Sequence, residues 1–142
     1  MESLHYLLEK AIMIANAAHA DQTDKAGNPY ILHSIRVMLR CTTLEEMIVA
    51  ILHDVVEDSS LTLTDMEELG LSAEMVDAVD RLTRRDDQSY MDHIERCQGN
   101  PLSKIVKMAD LDDHLVNYDP RVLSAEHVIR YGKAWRYLNN SS

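Results

Sequence analysis

Apolar residues recur at spacings of three and four along almost the whole chain, and no stretch alternates at period two for long enough to make a strand. That periodicity admits helices and little else. Residues 2–20 set Leu4, Leu8, Ala11, Ile12, Ala15 and Ala18 on one face. Gly27, Asn28 and Pro29 interrupt the pattern in a turn over 24–30, and a second helix is predicted from Leu32 to about Cys41. Thr42 or Thr43, each with a Glu three residues on, supplies a capping signal for a third helix that carries residues 47–58. Thr64 with Glu67 repeats the signal for a short helix ended by Gly70, and Ser72 opens another to about Thr83. RRDDQS is a polar connection. Further helices are predicted from Ser89 to the QGNP stop at 98–101, over 101–117 and over 124–138, with NNSS as a frayed tail. The expectation is one all-α domain, 1–142, of about seven helices.

A chain of 142 residues with 46% apolar side chains can bury a core of its own. Phe is absent and there are eight Met, so Leu, Ile, Val and Met must fill the interior. No run of about 18 apolar residues offers a membrane span. The start, MESLHYLLEKAIM, lacks the basic region and cleavage site of a signal peptide. Cys41 and Cys97, without CxxC spacing, read as reduced thiols of a cytoplasmic protein, a single disulfide being the alternative.

Net charge is −10, which argues against a nucleic-acid partner, since phosphate backbones call for clustered Lys and Arg. The acid is unevenly placed. Residues 1–100 hold 8 basic and 19 acidic side chains, the remainder 6 and 5. An anionic small molecule still fits if a metal or a few local cations reverse the field at its site.

Residues 47–58, MIVAILHDVVED, pose the sharpest problem. Three carboxylates and an imidazole sit in an apolar helix, and an unpaired buried carboxylate costs several kcal/mol at least. Residues four apart share a helix face, which stacks His53 with Glu57 and Asp54 with Asp58, and both pairs can then address one cavity. A divalent cation would resolve the burial, because imidazole and carboxylate are both ordinary metal ligands. The plainer alternative is a partly exposed turn with solvated acids and a core histidine. Elsewhere, His33 lies in an apolar helix start and Asp110 in an apolar stretch after Lys107.

The order His33, His53–Asp54, Asp110 resembles the H…HD…D pattern of the HD-domain metal-dependent phosphohydrolases. Three blocks, AHADQTDKAGNPYILHSIRV, ILHDVVEDS and KMADLDDHL, resemble the hydrolase domain of RelA/SpoT proteins and the small alarmone hydrolases. The similarity runs from about His19 to Asp119.

That resemblance implies a compact HD-domain fold around a central metal site. His33, His53, Asp54 and Asp110 would hold one divalent ion, with Mn²⁺ the ion implied. HD proteins with two metals use extra histidines between the dyad and the last Asp. Here only His93 falls in that interval, in a polar segment, so one metal is expected. Glu57 and Asp58 match the ED pair that would orient and deprotonate the attacking water. Acids at a helix C-terminus run against the dipole, which fits a functional placement. Lys25 matches a basic position near substrate, although a solvated turn lysine is an equal reading. Lys107 precedes Asp110 by three residues and would pair with that acid or face a phosphate; Arg36, three residues beyond His33, would do likewise. Tyr131 is a further substrate contact or a core tyrosine.

Two positions depart from the family pattern. Asp24 replaces the arginine that stacks on the guanine base, and an acid cannot make that contact. His114 replaces an asparagine four residues after the metal Asp, and is assigned to the substrate side with altered shape and charge. The implied activity is (p)ppGpp 3′-pyrophosphohydrolase-like, with another phosphorylated nucleotide or cofactor as alternative substrate. A non-catalytic ligand-binding module of the same fold is the reading from outside enzymology. The implied partner is a small nucleotide, with no nucleic acid and no membrane, in bacterial cytoplasm; oligomeric state is left open.

Overall fold

The computed structural model describes residues 3–140 and contains, among them, nine helical segments and no strand. They are α1 (Leu4–Ala18), α2 (Ile31–Leu39), α3 (Leu44–Leu52), α4 (Val55–Asp58), α5 (Leu63–Leu69), α6 (Ala73–Leu82), α7 (Tyr90–Gln98), α8 (Pro101–Val116) and α9 (Ala125–Asn140). The all-α expectation holds. Local capping explains most boundaries. Thr43, Thr62 and Ser89 each accept from the N3 backbone while that residue's carboxylate returns to the cap. Pro101 opens α8, where its missing N–H costs nothing.

Three expectations need correction. The short helix is capped by Thr62 with Asp65, not by Thr64 with Glu67, because Thr62 has the extended backbone a cap requires. α9 continues through Asn140, so the first half of NNSS is helical; Ser141 and Ser142 lie outside the described residues. The stretch 47–58 is two helices rather than one. The His53 N–H bonds to the Ala50 carbonyl, three residues back, and Asp54 takes φ −106°, ψ 0°. Helical bonding resumes when the Asp58 N–H reaches the Asp54 carbonyl at 2.9 Å.

Helix α3 lies at the centre, with α1, α2, α6 and α8 packed around it. Ile48, Val49, Ala50, Ile51 and Leu52 are consecutive and all buried, as a helix covered on every side requires. Each large side chain there contributes about 1.5–3 kcal/mol of burial. A second, smaller cluster of Tyr90, Ile94, Leu111, Ala134 and Leu138 joins α7, α8 and α9. Cys41 and Cys97 are buried free thiols, each pushed up to about 11 by burial. No helix of the described residues is long and apolar enough to cross a membrane.

Candidate functional site

The break after α3 turns His53 and Asp54 toward α2 and α8, where His33 and Asp110 meet them. His33 Nε2 lies 2.8 Å from Asp110 Oδ1, and His53 Nε2 lies 3.0 Å from Asp54 Oδ2 and 3.6 Å from Asp110 Oδ1. The four residues implied as ligands are therefore brought together from three elements.

The far sides of both rings explain their orientation. His53 Nδ1 is 2.6 Å from the Ala50 carbonyl, which only accepts, so Nδ1 carries the hydrogen. Its buried Nε2 is then the atom that faces Asp54 and Asp110, holding a second proton there or offering its lone pair to a cation. His33 Nδ1 sits 2.7 Å from Asp113 Oδ2, a carboxylate that also accepts Nε and Nη2 of Arg36 at 2.8 and 3.1 Å. Tying the second ring nitrogen in this way is the usual support of a metal-ligating histidine. Two buried imidazole nitrogens turned onto two carboxylates are a donor set that fits a divalent cation.

The electrostatics agree. Burial alone lowers an imidazole pKa, yet Asp110 and Asp113 overcome it and raise His33 to about 9. Asp54 and Asp110 raise buried His53 as well. Burial works the other way on the acids, but His53 holds Asp54, and Lys107 with the histidines holds Asp110, below the usual carboxylate range. A cation offered to the same atoms competes with the protons those carboxylates hold on the rings.

Two cavities flank the cluster. One, of about 180 Å³, is walled by Asp54, Asp110, Glu57, Lys107, Arg84 and Tyr131 among others. The second, of about 370 Å³, lies across His33 and is lined by Arg36, Asp113, Val122 and Leu123. Tyr30 and His114 border both.

The remaining expected residues fall out unequally. Glu57 lines the smaller cavity, its Oε1 accepting the Arg84 N–H at 2.8 Å, whereas Asp58 is not in the wall. The break between α3 and α4 is the reason the two pairs do not share one face. Burial, reinforced by Asp54 and Glu57, raises Asp58 to about 6. Lys107 is buried, its Nζ 3.0 Å from Asp110 Oδ2. Arg36 pairs with Asp113, and Lys25 is exposed on the turn, in neither wall. His93, although in a polar segment, is buried at 1% exposure on the inner face of α7, outside the groups that could ligate a metal. Asp24 spends its carboxylate on its own turn, accepting the N–H groups of Ala26 and Asn28.

Sequence reasoning missed Tyr30, whose hydroxyl donates to Asp54, and Asp113. Both carry a signal: each stands three residues from an expected ligand on the same helical face, Tyr30 from His33 and Asp113 from Asp110. Arg84 and Tyr90, which also wall the smaller cavity, had none.

Comparison with known proteins gives the lineage. No protein-family model matches the chain. The bifunctional (p)ppGpp synthase/hydrolase SpoT of Escherichia coli is 40% identical over 83 residues, 54% of this chain and 12% of that protein. A probable guanosine-3′,5′-bis(diphosphate) 3′-pyrophosphohydrolase of Synechocystis is 35% identical over 95 residues, 63% of this chain and 12% of the relative. The chain is a homologue of the SpoT-type hydrolases. It spans only about an eighth of those SpoT-type relatives. A solved structure described as a metazoan ortholog of SpoT that hydrolyses ppGpp superposes with a TM-score of 0.77 at 22% identity. The match covers 99% of this chain and 88% of that one, so the SpoT-type HD fold accounts for the whole helical architecture.

Proposed function

We propose that this chain, as one HD-type domain, is a metal-dependent phosphohydrolase of a nucleotide, and specifically a (p)ppGpp 3′-pyrophosphohydrolase. The observation that carries the reading is the pair of imidazoles, each tied at Nδ1 and turned with Nε2 toward Asp54 and Asp110 beside a cavity. The names of the SpoT-type relatives supply the substrate class.

His33, His53, Asp54 and Asp110 would hold one divalent ion, for which we favour Mn²⁺ on the mixed imidazole and carboxylate donors. Such an ion polarises a phosphate oxygen and acidifies water. Glu57, in the wall of the smaller cavity, is the base that takes the proton of the attacking water, and Asp58 assists from outside it. Lys107 holds Asp110 in place, and Tyr30 does the same for Asp54. Arg36 and Tyr131 contact the substrate from the two cavities, and Lys25 supplies a rim cation for its phosphates. The free buried thiols suit a cytoplasmic setting, and the sequence relatives named above are bacterial.

A second reading, hydrolysis of another phosphorylated nucleotide or nucleotide-derived cofactor, is favoured by Asp24. It borders the larger cavity as a turn cap and offers no cation to a base. The deciding experiment is pyrophosphate release from ppGpp with Mn²⁺, wild type beside Asp54→Ala, with bound metal measured. Release lost in the variant supports the first reading; none from metal-loaded wild type turns to the second.

A further inference from the structure

We propose that His114 is a further protein ligand of the same ion, through Nε2; this rests on the metal-centred reading of the site. His114 stands one helical turn beyond Asp110 on α8, and its Nε2 lies 3.3 Å from Asp110 Oδ1. That oxygen is also 2.8 Å from His33 Nε2 and 3.6 Å from His53 Nε2. Three imidazole Nε2 atoms therefore converge on one carboxylate oxygen. Candidate ligand atoms of His33, Asp110 and His114 all lie within 4.8 Å of one another, as do those of His33, His53 and Asp54. The two groups share His33, and the proposal joins them through that ring.

The ring of His114 is held in this attitude from both faces. It stacks on His33 with centroids 4.4 Å apart and planes 25° apart, and on Tyr131 at 5.3 Å and 30°. A side chain fixed by packing on both faces is preorganised for a ligand role.

A fifth protein donor occupies a position that four would leave to water. It also makes the set three imidazole nitrogens and two carboxylates. Nitrogen donors favour the later first-row ions over Mg²⁺, so metal preference should lean toward Co²⁺ and Zn²⁺ more than the four-residue set implies.

The test counts coordinated nitrogens. Purified full chain is loaded with Mn²⁺ and examined by pulsed electron paramagnetic resonance, wild type beside His114→Asn, with helical circular dichroism confirming that the variant folds. Three coordinated imidazole nitrogens are expected in wild type and two in the variant. Co²⁺ affinity should fall at least about 10–100-fold, the loss typical of groups one shell further out. Mg²⁺ affinity should change less. Two nitrogens in wild type overturn the proposal even if affinity falls in the variant, since His114 then only positions Asp110. A wild-type chain that holds no ion overturns the metal-centred reading itself.

Discussion

His33 and Asp113 are bound across 80 residues of sequence, Nδ1 to Oδ2 at 2.7 Å, and this contact fixes which nitrogen of His33 faces the site. Asp113→Asn keeps the size of the side chain and removes its charge. Mn²⁺ affinity measured by calorimetric titration should fall about 10–100-fold with helical content unchanged. An unaltered affinity would show that Asp113 serves Arg36 alone.

Glu57 and Asp58 are adjacent, yet only Glu57 walls the cavity beside the proposed ligands. Glu57→Gln is expected to lower the rate of pyrophosphate release by about 10²–10⁴, the usual worth of a positioned base, with Mn²⁺ affinity retained. Asp58→Asn should lose less. Equal losses in the two variants would contradict the division of roles.

His93 provides a pH dependence outside the proposed ligand set. Burial, then Lys107, Arg84 and Arg96, lower its pKa to about 3 in the fold, against 6.5 for an ordinary histidine. Between those values the unfolded chain binds a proton that the folded chain refuses. Its contribution to stability is therefore undiminished above pH 6.5 and declines as the pH falls toward 3, by at most about 1.4 kcal/mol per pH unit. Denaturant midpoints across that range should slope less steeply in His93→Gln than in wild type. Parallel slopes would mean that His93 protonates in place.

Gly70 closes α5 at φ +115°, a left-handed conformation that a Cβ opposes. Gly70→Ala should cost about 1–2 kcal/mol, read as a lower urea midpoint at unchanged m-value. The residue lies away from the proposed ligands, so Mn²⁺ affinity should not move.

Much of this protein was decided locally. Caps at Thr43, Ser72 and Ser89, the stop at Gly70 and three-to-four periodicity need only neighbouring residues, so the helices and the all-α class are legible in the chain. His33, His53–Asp54 and Asp110 were legible too, because an ionisable group in an apolar stretch is anomalous wherever the chain then folds. The break at His53–Asp54 was not, since 47–58 has no Pro or Gly to announce it. Nor was the separation of Glu57 from Asp58 that follows from the break. Arg84 and Tyr90 reach the wall only because α6 and α7 pack against α8. The roles of Tyr30 and Asp113 rest on contacts across 24 and 80 residues, and separations of that length are set by packing rather than by any local preference. Which helices form, and which groups cannot rest in them unpaired, follows from neighbouring residues in the chain. Which of those groups share a cavity does not, because that depends on how α2, α3 and α8 meet.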